Sequence, residues 1–89
     1  MVVIQNSSTQ VLNHTDLTRD QILALPRLGS YRNEWRQRLV TLYRRGPGQV
    51  VSIGETFDGV LQIICSETDE DHCYALAAWA EGNFQYTSK

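Results

Sequence analysis

The sequence predicts a small single α+β domain over residues 1–89, with elements in the order β-α-α-β-β-α and a short antiparallel sheet packed by helices. Three observations carry that expectation. Thr18 and Gln21 have the spacing of a helix-capping box, apolar residues recur at helical intervals from Tyr31 to Tyr43, and two β-branched runs flank Asp58-Gly59.

Taken in order, Val2-Val3-Ile4-Gln5 reads as a short strand, and the polar stretch Asn6 to Asp16 as a loop. Thr18 is an N-cap with Gln21 at N3, and Leu17 and Ile22 are placed to form the hydrophobic staple around it. The helix runs from Arg19 to Leu25, where Pro26 stops it. Gly29-Ser30 opens a second helix to about Arg45, with Tyr31, Trp35, Leu39, Leu42 and Tyr43 on its buried face. Gly46-Pro47-Gly48 ends it. Strands follow at 49–53 and 60–65, joined by a turn in which Gly59 accepts positive φ. Thr68 and the acidic run Asp69-Glu70-Asp71 signal the start of a third helix, 69–81. It places Cys73, Leu76, Ala77 and Ala80 along one face, and Gly82 closes it. Asn83-Phe84-Gln85-Tyr86 alternates like an edge strand.

Composition narrows the class. Hydrophobic residues make up 42% of the chain and charged residues 20%, which is neither the charge-rich profile of a disordered segment nor that of a membrane protein. The longest apolar runs fall well short of the roughly 20 residues that cross a bilayer. The first residues lack the basic start and apolar stretch of a secretory signal, so a cytoplasmic location without membrane contact is expected. Cys65 and Cys73 are then reduced thiols.

Charge is divided along the chain. All seven arginines lie between Arg19 and Arg45, giving residues 1–45 a balance of +4, and residues 46–89 carry −6. Such a division either closes the fold on itself or presents a charged face to a partner. On a helix over 31–45, Arg32 and Arg36 flank one side of the apolar stripe and Arg38 and Arg45 the other. Long arginine stems beside an apolar stripe cover it while their heads stay in water, which is the bland account of the same pattern.

Catalytic and metal chemistry find little to stand on. Glu67, Asp69, Glu70, Asp71, His72 and Cys73 are metal-ligand types, but consecutive residues fan around a helix start, and their spacing matches neither a zinc nor an EF-hand site. A solvated first turn stabilising the helix dipole is the simpler expectation. His72 and Cys73 are neighbours whose side chains diverge by about 100° on a helix, so they make no dyad. His14 is placed in a loop from which it could approach Cys65 or Cys73, but nothing requires that it does. No catalytic residue, metal ligand or cofactor is assigned.

Two resemblances add alternatives. Helices at 19–25 and 31–45 followed by a hairpin resemble a winged-helix order, which would put Tyr31, Arg32, Asn33 and Arg36 at the start of a recognition helix. The wing, however, carries Glu55 and Asp58, which repel phosphate. Tyr43-Arg44-Arg45, Gly48-Gln49-Val50-Val51 and Glu81-Gly82-Asn83-Phe84 are similar to the small SH3-like C-terminal domain of biotin protein ligases, over about half the chain. That resemblance implies a small SH3-like barrel for 49–87, with 73–80 as a strand. The glycine- and arginine-rich nucleotide loop of that family is missing, so ligase activity does not carry over.

The expectation for function is a non-enzymatic protein–protein interaction module, acting as adaptor, inhibitor or regulatory subunit through the arginine-flanked helix. Arg32, Arg36 and Trp79 are the candidate partner-binding residues, because Arg and Trp dominate interface energetics. Trp35 is expected in the core. An acidic protein fits the arginines, and a dipolar chain can also pair with its own copy. The alternatives are a winged-helix-like nucleic-acid binder and a small enzyme of unassigned chemistry.

Overall fold

The computed structural model describes residues 9–57 and 61–84. Within them the order is β1 (Thr9–His14), α1 (Arg19–Leu23), β2 (Arg27–Asn33), β3 (Arg38–Gly46), β4 (Gln49–Thr56), β5 (Leu61–Ser66) and α2 (Glu70–Ala80). The class is α+β as expected, but the order is β-α-β-β-β-β-α. The strands form a five-stranded mixed sheet in the order β1-β5-β4-β3-β2. β2 to β5 make an antiparallel meander, and β1 joins its far edge parallel to β5, with Val11 beside Ile63.

Both faces of the sheet are covered. On one, Ile22 of α1, with Leu17 and Leu25, packs on Tyr43, Val51, Ile53, Ile63 and Cys65. On the other, Ala75 of α2 packs on Val40 and Leu42, with Leu28, Tyr31, Val50, Leu76 and Phe84 around them. Successive strand residues point to opposite faces, so β3 sends Val40 and Leu42 to α2 and Tyr43 to α1.

That double burial explains the main correction. The second helix expected over 31–45 is a β-hairpin, β2 turning into β3 through residues 34–37. A strand buried on both sides shows no apolar–polar alternation, and Trp35 in the turn completes a helix-like spacing by accident. The turn has its own chemistry. The Asn33 carboxamide oxygen accepts from the Arg36 backbone N–H at 3.1 Å, and Gln37 takes a left-handed φ of 57°. Gly46-Pro47-Gly48 is then not a helix stop but the β3–β4 turn, with Gly46 paired to Gln49 and Gly48 at φ 69°, the Pro-Gly order of a type II turn.

Residues 9–14 form a strand where a loop was expected. Their own propensity is weak, and the slot beside β5 organises them. The expected strand over 2–5, the Asp58-Gly59 turn and Gln85-Tyr86 lie outside the described residues. Over 73–80 the chain is helical, so the SH3-like alternative for the C-terminal half is not what forms.

The two helices start as their sequences dictate. Thr18 and Gln21 make the reciprocal capping box, with Gln21 N–H donating to Thr18 Oγ1 at 3.1 Å and Thr18 N–H to Gln21 Oε1 at 2.8 Å. Asp69 caps α2, accepting from Asp71 N–H at 2.8 Å. α2 ends in a Schellman motif, with Asn83 N–H to Ala78 O at 2.8 Å, Gly82 N–H to Trp79 O at 3.1 Å, and Gly82 at φ 80°. No described helix is long and apolar enough to cross a membrane.

Candidate binding face beside the edge strand

α2 does not bury the face expected of it. Asp71, His72, Ala75 and Ala78 face the sheet, and Cys73, Ala77 and Ala80 face away. Two polar residues are swallowed because each finds partners. Asp71, 2% exposed, accepts from Arg38 Nη1 at 2.7 Å and Asn33 Nδ2 at 3.1 Å, with Arg36 Nε at 4.0 Å. His72, also 2% exposed, has Nδ1 2.8 Å from Ser52 Oγ, which donates to the Ser66 carbonyl at 3.2 Å. Burial pushes the His72 imidazole below its ordinary pKa, while Glu67 and Asp69 pull it the other way.

The acidic run is thus a solvated helix start only in part, since Glu70 stays exposed while Asp71 is buried. Glu67 pairs with Arg45, Glu70 with Arg36 and Asp71 with Arg38, while Glu55 pairs with Arg19 at 3.1 Å. Each of these joins the basic part of the sequence to the acidic part. Asp16 also meets Arg45 at 2.9 Å, and that hydrogen-bonded guanidinium holds its carboxyl below the usual range. Among the described residues no three His, Cys, Asp or Glu side chains converge on a metal position. His72 and Cys65 point to opposite faces of the sheet, so they make no dyad.

Two of the exposed large apolar side chains, Trp35 and Tyr74, lie close together. The β2–β3 turn is tied to α2 through Asn33–Asp71 and Arg36–Glu70, and its tip holds Trp35 90% exposed. Trp35 rims a hollow of about 260 Å³ with Tyr31, Asn33, Arg36, Glu70 and the half-exposed Tyr74. A second hollow of about 420 Å³ adjoins it through Tyr31 and Tyr74, and adds Ala77, Ala78, Glu81 and Asn83. A third, about 240 Å³, is lined by Ser30, Tyr31, Arg32, Glu34 and Asn83. The first two form a channel between α2 and β2, the edge strand of the sheet among the described residues.

Of the three residues singled out from sequence, one borders this channel. Arg36 stands in its wall, and Arg32 leans to the opposite face of the sheet, where its guanidinium lies 4.4 Å from the centre of the Phe57 ring and 2.9 Å from Glu34. Trp79, 36% exposed, lies about 140° around the helix from Tyr74 and belongs to the other flank of α2. The structure does not bring the three together. Trp35 is not core at all, and Tyr31 and Tyr74 join it on this face. The polar setting Asn33-Glu34-Trp35-Arg36-Gln37 was the signal in the sequence, since a lone tryptophan among polar residues belongs to a turn as readily as to a helix.

Comparison with protein-family models, curated proteins and solved structures finds no match to this chain.

Proposed function

We propose that this chain is a non-enzymatic protein–protein interaction module, an adaptor, inhibitor or regulatory subunit, whose binding face is the channel between β2 and α2. The observation that supports it is Trp35. A tryptophan left almost wholly in water, on a turn fixed by hydrogen bonds and ion pairs, costs little further ordering when it is buried by a partner. Tyr31, Tyr74 and Arg36 beside it complete the residue types that most often anchor interfaces. Nucleic-acid binding is less favoured by the same arrangement, because five of the seven arginines already meet carboxylates.

The test is affinity capture from an extract of the cells that produce the protein, with a Trp35→Ala/Tyr74→Ala variant as the matched bait. Both changes are on exposed side chains, so circular dichroism should be unchanged. Loss of one hot-spot residue costs about 2 kcal/mol, roughly thirtyfold in Kd, so a true partner should vanish from the variant. A set of captured proteins identical for both baits would refute the assignment of this face.

A further inference from the structure

We propose that the opposite side of the sheet carries a site for a small organic monocarboxylic acid, its carboxylate held by Arg19 and Arg27 and its apolar body against Leu23 and Leu39. Those four residues, with Thr41, Tyr43 and Glu55, line a hollow of about 250 Å³ beside α1. The helix has five residues, and its buried Ile22 meets β3 at Tyr43. Thr41 and Leu39 lie two and four residues earlier on the same face of β3, short of that contact. The hollow opens to solvent, since Leu23 is 45% exposed and the Arg19 and Glu55 side chains 37% each.

The lining is rich in donors. Arg19 gives one N–H to Glu55 at 3.1 Å, while its Nε is buried and has no hydrogen-bond partner among the described residues. A buried donor without an acceptor destabilises the fold, and an acceptor lodged beside it relieves that cost. Arg27 brings a second guanidinium, with Nη2 3.4 Å from Ser30 Oγ. The Ser30 and Thr41 hydroxyls lie 3.1 Å apart. With Ser30 accepting from Arg27 and donating to Thr41, the Thr41 proton is left to turn into the hollow. Burial pushes the Tyr43 phenol above its ordinary pKa, so it too is a donor, and the charges acting on it are those of Arg27, Glu55 and Arg19. The carboxylate of the lining, Glu55, is already turned to Arg19. Such a wall is complemented by a group that accepts hydrogen bonds and donates none.

Charge and shape narrow the class. Two guanidinium groups against one carboxylate leave the lining at +1. One carboxylate balances that charge, whereas a phosphate monoester or a dicarboxylate sets a second, unmet charge near Glu55. Guanidinium groups also match a carboxylate through paired N–H donors. The hollow is larger than a bare carboxylate needs, and Leu23 and Leu39 give the remainder of the ligand an apolar wall. Tyr43 faces α1 and Tyr31 faces α2, so this site and the Trp35 channel lie on opposite faces of the sheet and act independently.

The experiment is an amide-resolved NMR titration of the full chain with benzoate and 3-methylbutanoate, each beside its neutral amide, at matched ionic strength. Both acids should give saturable shifts centred on Arg19, Leu23, Thr41 and Tyr43, with Kd near about 1 mM, and the amides should give none below about 10 mM. Arg27→Gln should weaken the acids roughly tenfold. Glu55→Gln, which releases the Arg19 guanidinium and removes the like charge, should tighten them roughly threefold. The acid–amide comparison is made on the unaltered chain, so it decides even if a variant folds poorly. Equal binding of acid and amide would reduce the hollow to an apolar surface and overturn the proposal. Shifts reproduced by sodium chloride alone, or no saturation by about 10 mM acid, would overturn it as well. Inorganic phosphate or a dicarboxylate that binds more tightly than either monoacid would overturn the single-charge class.

Discussion

His72 is a buried base with the Ser52 hydroxyl 2.8 Å from its Nδ1, and its burial has a consequence in solution. Its pKa is lowered in the fold, chiefly by desolvation, so the unfolded chain takes the proton first. Above about pH 6.5 the imidazole is neutral in both states and contributes no slope. As pH falls through 6.5 the unfolded state binds more protons than the folded one, and stability drops by at most about 1.4 kcal/mol per pH unit until the folded group titrates. Urea midpoints measured from pH 8 to pH 5 should therefore decline below 6.5, and His72→Gln should flatten that decline. A profile that rises toward pH 5 would mean the imidazole is charged in the folded state.

At the scale of elements, α1 is short and depends on its ends. A five-residue helix cannot hold itself by propensity, so the capping box and the burial of Ile22 keep it in place. Thr18→Ala should cost about 1 kcal/mol by denaturant titration. This element was legible because its signal is local: Thr18, Gln21, Leu17 and Ile22 lie within six residues. The same holds for the stop at Gly82. The β2–β3 hairpin was not legible, because what makes Val40, Thr41, Leu42 and Tyr43 a strand is that helices cover both their faces, a fact residing in distant residues. The buried face of α2 escaped for the converse reason. Asp71 and His72 are polar, and only Arg38, Asn33 and Ser52 make their burial tolerable. With the hairpin misread, Arg32 and Arg36 could be named but not placed, and Trp35 was assigned to the wrong environment.

For the molecule as a whole, the uneven distribution of charge is resolved inside the fold. Arg19, Arg36, Arg38 and Arg45 each reach a carboxylate that lies beyond residue 54, so the basic and acidic parts hold each other. Exposed pairs of this kind contribute little singly, while Asp71, enclosed with Arg38, would be costly to leave alone. Arg36→Glu would set a third carboxylate against Glu70 and Asp71, and should lower the melting temperature by about 4–8 °C for each kcal/mol lost. Trp35→Ala should shift stability by no more than about 0.5 kcal/mol. A large fall for Trp35→Ala would mean that its ring packs on the domain and is not offered to a partner.

The parallel pairing of β1 with β5 dictates an order of events. The meander from β2 to β5 closes through sequence-local turns, whereas β1 must remain single until β5, about fifty residues later, is available to receive it. Until then Val51 and Ile53 form part of an open flank at β4, and a nascent chain released before β5 would present that flank to its neighbours. β5 is therefore the strand on which the placement of β1 depends.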